Sequence, residues 1–140
     1  MSRAVLPPTF ETLVDDDKRA TLTWAAFFES LSQGDFGTAW TPTFDGLTEV
    51  GSATKTGVYY KLSQRLAFFR ITITPETNTS SVLGTTFCNN FPLTIANNGL
   101  CASISSYTAN VSGISDSKIY TSTWTTLTTP ITIVGIVEVR

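Results

Sequence analysis

The ten residues Arg65–Thr74, RLAFFRITIT, constrain the fold of this chain more than any other stretch. Ala67, Phe69, Ile71 and Ile73 point one way, and Phe68, Arg70, Thr72 and Thr74 point the other. A strict two-residue period with β-branched and aromatic side chains describes a strand buried on one face, not a helix. Such a strand needs partners. Val58–Leu62 precedes it as a second strand, with Ser63-Gln64 at the hairpin turn. Ser-Gln does not favour the left-handed backbone of a tight two-residue turn, so a longer or bulged turn is expected. The last run, Ile131–Val139 (ITIVGIVEV), has Ile131, Ile133, Val137 and Val139 in phase and is apolar enough to be a central strand.

Other strands are weaker. Leu100–Ser106 alternates, with Leu100, Ala102 and Ile104 on one face, and Asn97-Asn98-Gly99 predicts a hairpin turn leading into it from Phe91–Ile95. Residues 75–85 read as a polar loop, Lys118–Tyr120 as a short strand, and Thr121–Pro130 as a Thr-rich segment carrying Trp124. About seven or eight strands in roughly 100 residues give an all-β chain with a β-sandwich or jelly-roll fold.

The N-terminal part differs. Residues 1–14 are interrupted by Pro7-Pro8 and carry scattered apolar side chains, Val5, Leu6, Phe10 and Leu13. They read as an extended attachment arm. Residues 15–33 read as one α-helix: Asp15, Asp16 and Asp17 cap and charge its start, and Gly34 stops it. Trp24, Phe27, Phe28 and Leu31 form an aromatic stripe on that helix, suited to an oligomer neck. Residues 34–140 form the β domain.

Composition narrows function by exclusion. Charged residues are 14% of the chain and the net charge is −2, which is wrong for a nucleic-acid binder. No histidine is present, so His-based nucleophilic catalysis and the usual Cys/His zinc sites are not expected; no metal or cofactor is called for. The two cysteines, Cys88 and Cys101, read as free buried thiols. No apolar run approaches the roughly 20 residues of a membrane-spanning helix, and no membrane insertion is expected. Threonine, abundant here, suits the solvent face of strands.

Gly37-Thr38-Ala39-Trp40-Thr41-Pro42-Thr43, then Gly46-Leu47, Gly51, Gly57-Val58-Tyr59-Tyr60-Lys61-Leu62, the strand Phe68-Phe69-Arg70-Ile71 and the closing ITIVGIVEV together resemble a recurrent module of tailed-bacteriophage virion proteins. That module is found in tail fibres, tailspikes, needle tips and head fibres, and it covers most of residues 34–140. The resemblance implies a tumour-necrosis-factor-like trimeric knob in the virion, at the tail or on the head surface. It would be held to other virion proteins by its N-terminal arm, with Trp40, Pro42, Phe44, Gly57 and Tyr59 as structural residues. Two departures stand out: Ser63 occupies a turn where Gly or Asn is expected, and no fibrous shaft precedes the knob.

Candidate chemistry is sparse. The carboxylates Asp35, Asp45, Glu49, Glu76 and Asp116 sit beside turn residues, and a glycan hydrolase would need two of them facing each other across a cleft. The chain is therefore expected to bind rather than catalyse. Tyr107, Tyr120 and Trp124 are the candidate contacts for a host-surface glycan, since aromatic faces stack on sugar rings. A carbohydrate-binding module is the alternative to the virion knob, and a small hydrolase the more distant one.

Overall fold

The computed structural model describes residues 37–140 and, before them, Trp24. Trp24 has helical backbone. The rest of the expected helix, with Phe27, Phe28 and Leu31, and the expected arm, with Val5, Leu6, Phe10 and Leu13, lie outside the described residues. Gly37–Arg140 is one compact unit.

That unit is all-β, as the alternating runs predict. Its strands are β1 (Thr38–Trp40), β2 (Phe44–Asp45), β3 (Thr48–Glu49), β4 (Thr54–Lys61), β5 (Leu66–Thr74), β6 (Thr79–Ser81), β7 (Phe87–Cys88), β8 (Gly99–Ser105), β9 (Thr108–Ser115), β10 (Lys118–Tyr120), β11 (Trp124–Thr126) and β12 (Ile131–Glu138). Nine form one antiparallel sheet in the order β1-β4-β5-β12-β8-β9-β10-β7-β2, and β11-β6-β3 form a second, small sheet. The final strand β12 is central, paired along its length with β5 on one side and β8 on the other.

The two outermost strands of the large sheet, β1 and β2, are separated by only Thr41, Pro42 and Thr43. Laid flat, nine strands would hold their edges roughly 38 Å apart at ~4.8 Å per strand. The link from Trp40 to Phe44 spans at most about 14 Å. The sheet must therefore curl until its edges nearly meet, which makes it a sandwich.

The Trp-Thr-Pro-Thr segment is the seam of that closure. Asn90 Nδ2 donates to the Thr41 carbonyl at 2.8 Å, and Thr43 N donates to Asn90 Oδ1 at 2.9 Å. Asn89 N donates to the Thr43 carbonyl at 3.1 Å, and Thr43 Oγ1 donates to Asn89 Oδ1. Trp40 packs edge-on to Phe91 at 5.4 Å and near Tyr59 at 6.1 Å. A Cβ on Gly57 would lie 2.9 Å from both Pro42 Cγ and the Trp40 ring, so only glycine lets the seam lie flat on β4. Four of the five residues expected to be structural, Trp40, Pro42, Gly57 and Tyr59, thus meet here. Phe44 packs on the same core through β2.

Ala67, Phe69, Ile71, Ile73, Ile131, Ile133, Val137 and Val139 fill the core, on the face their alternation predicts. Strand β8 alternates as expected, with Leu100, Ala102 and Ile104 on one face, and that face is the outer one: Cys101 and Ser103 are buried, whereas Leu100 and Ile104 are exposed. Two expectations need correction. The Asn97-Asn98-Gly99 hairpin does not form. Ile95 bridges to Val139, Asn97 Nδ2 donates to Glu138 Oε2 at 2.8 Å, and β8 turns instead into β9. The segment read as a polar loop contains β6, whose Thr79 and Ser81 are buried. Threonine is thus not confined to solvent faces; Thr86 and Thr121 are buried too.

The β4–β5 turn is longer than two residues. Leu62 N and Ser63 N both donate to the Leu66 carbonyl, and Ser63 Oγ accepts from the amides of Arg65 and Leu66. A serine hydroxyl organising its own turn explains the absence of Gly or Asn there.

Candidate functional site

A cleft opens beside the β8–β9 hairpin. One wall is Ser103, Ser105, Thr108 and Asn110 from that hairpin; the other is Ser122 and Thr123 from the β10–β11 link with Trp124 and Thr125 of β11, and Ile131 of β12 also lines it. Hydroxyl, amide and indole groups line it, and no charged side chain does.

Its aromatic wall is fixed from behind. Trp124 is half-buried and packs on the core, and its Nε1 donates to Thr121 Oγ1 at 2.7 Å. Thr121 Oγ1 in turn lies 3.0 Å from Ser103 Oγ. Ser81 Oγ donates to the Ser122 carbonyl at 2.8 Å, which ties the strap to the small sheet. This network holds the ring in one orientation without freezing solvent-exposed rotamers, the arrangement a stacking surface needs. Ser122 Oγ is buried in the cleft wall and has no hydrogen-bond partner among the described residues.

The three candidate aromatics do not all converge. Tyr107 is fully exposed at the β8–β9 turn, flanked in the chain by the cleft residues Ser105 and Thr108 but not itself part of the lining. Tyr120 belongs elsewhere. Its ring packs on Phe87 at 5.4 Å, and Lys118 Nζ lies 4.7 Å from the Phe87 centroid. Its carbonyl accepts from Ser112 Oγ at 2.7 Å and from Cys101 Sγ at 3.2 Å. The hydroxyl set from β8 and β9 was not legible in the sequence, because short Ser/Thr strands give no local sign of facing a cleft.

The carboxylates are occupied or isolated. Glu49 pairs with Lys55 at 2.7 Å, and Glu76 Oε2 accepts from the Ser52 amide at 2.7 Å. Asp116 sits in the β9–β10 turn with left-handed backbone. Asp45 lies on β2, and Asp35 is outside the described residues. Among the described residues, no three His, Cys, Asp or Glu side chains group as metal ligands would. Cys88 and Cys101 are free and buried, and burial pushes both thiols up from their ordinary value. Neither carries the thiolate a nucleophile requires near neutral pH.

Compared with protein-family models, with curated proteins and with solved structures, the chain matches none.

Proposed function

We propose that this chain is a structural protein of a tailed-phage particle: a homotrimeric knob, held by its N-terminal arm, that meets host-surface glycan at the Trp124 cleft. The virion assignment rests on the resemblance of residues 37–71 and 131–139 to the phage module. The closing seam gives the Trp-Thr-Pro-Thr part of that module a physical role. The binding role rests on one observation, an uncharged cleft in which an indole held by Thr121 stands among serine, threonine and asparagine side chains. Sugar rings offer an apolar face to stack and hydroxyls to exchange hydrogen bonds, which is the chemistry this lining complements. The same cleft also suits a carbohydrate-binding module outside a particle; whether the chain co-purifies with washed particles separates the two.

Glycan-array binding tests the cleft. Trp124→Ala should weaken binding at least about ten-fold, equivalent to about 1.4 kcal/mol, and Tyr107→Ala should weaken it with the fold intact because that side chain is fully exposed. Raising salt should leave affinity unchanged, since no charge lines the cleft. An array profile unaltered in both variants would rule the cleft out as the binding site.

A further inference from the structure

The chain enters the β domain at the end opposite the Trp124 cleft. Strand β4 runs towards the β4–β5 turn and β1 lies antiparallel to it, so β1 starts on the turn side. Gly37, just ahead of β1, lies against Tyr60 near that turn: a Cβ there would be 2.8 Å from the Tyr60 ring. Strand β12 runs towards the same end, from Ile131 beside Ile73 to Glu138 beside Leu66. Ile131 lines the Trp124 cleft. The 8 residues of β12 therefore put roughly 24 Å between that cleft and the turn end.

A second cleft, of about 450 Å³, opens at the turn end, lined by Gln64, Arg65, Ala96, Glu138, Val139 and Arg140. Its backbone is fixed. Val139 N donates to the Arg65 carbonyl at 2.8 Å, and Arg140 N donates to the Thr94 carbonyl at 3.0 Å. Arg65 and Arg140 are exposed, and neither is ion-paired among the described residues. Lys61 adds a third cation at this end of β4. The only acidic side chain in the lining, Glu138, already accepts from Asn97 Nδ2 through Oε2. Asp116 and Lys118, at the β9–β10 turn on the same side, cancel. The side chains of the turn end are thus cationic in a chain whose net charge is −2.

We infer that this cationic cleft seats the β domain on the protein that carries it, against an acidic segment of that partner. Guanidinium groups take carboxylates through paired hydrogen bonds, and here two of them share one cleft with a fixed backbone. The inference rests on the proposed attachment through the N-terminal arm. An arm held on a particle brings the end where the chain enters towards the particle and leaves the Trp124 cleft facing outwards. Position therefore selects a particle protein, not a host glycan, as the source of the anion.

Washing purified particles at rising salt, with the retained chain quantified by mass spectrometry, tests it. Surface charge pairs weaken as salt screens them, so the chain should be stripped progressively. Arg65→Gln combined with Arg140→Gln should lower the salt concentration that strips half of it by at least about two-fold. Arg70→Gln, at an exposed arginine in the middle of β5, should strip like the unaltered chain. Thermal melts of both variants should match the unaltered chain, since all three side chains are exposed. A folded double variant that strips at the unaltered salt concentration overturns the inference and leaves the virion reading standing. An equal shift in Arg70→Gln also overturns it. A chain absent from washed particles overturns both.

Discussion

Phe69→Ala is expected to destabilise the β domain by about 3–5 kcal/mol, the range for removing a buried aromatic ring from a packed core. Phe69 is completely buried on β5, and its ring meets Phe91 at 5.6 Å, edge-on. Phe91 also touches Trp40 and Tyr59, so the ring supports the closing seam as well as the core. The cavity cannot collapse easily, because β5 is held between β4 and β12 along its whole length. Small domains hold roughly 5–15 kcal/mol in all. Urea unfolding followed by tryptophan fluorescence should therefore show a midpoint that falls by about a fifth or more. A midpoint within experimental error of the parent would mean that the ring is not the centre of this core.

Gly135→Val should cost a comparable amount for the opposite reason. Gly135 faces inward on β12, opposite Phe69 on one side and Cys101 on the other. A Cβ there would lie 2.8 Å from Phe69 Cζ and 3.0 Å from Cys101 Cβ. The ring of Phe69 occupies the space a side chain would take. Neither neighbour can yield, since both are buried, so valine forces strain of about 3 kcal/mol, the upper end for overpacking. The two positions share one space, and their effects must couple. Combining Gly135→Val with Phe69→Ala should cost clearly less than the two single changes added together. Additive losses in the same urea measurement would show that the ring does not cover the glycine.

The legible parts of the sequence were those where local pattern and tertiary role agree. Strands β5 and β12 alternate strongly, and each buries the face its pattern marks. Strand β8 alternates as well, yet its more apolar face is outside. Alternation gives the period but not which side meets the core; that depends on register with β12, which is set 30 residues away. The β9–β10 hairpin was missed because its turn is Asp116-Ser117, both with positive φ and neither a glycine. The Asn97-Asn98-Gly99 signal misled because Asn97 bonds to Glu138 instead of closing a local turn. The seam was legible as a motif and illegible as a mechanism. Its clamp, Asn89-Asn90, lies nearly 50 residues from the threonines it holds. Of the candidate site, the sequence indicated Trp124 by residue type, while Ser103, Ser122 and Asn110 join it only through folding.

Quantitative mass spectrometry of purified particles, released by cells that carry the gene for this chain, tests the central claim most directly. A structural knob should co-purify with the capsid and tail proteins through density-gradient centrifugation, at a fixed copy number divisible by three. Its absence from washed particles, with the chain found free in the lysate, would contradict the account and leave a binding module that works outside any virion.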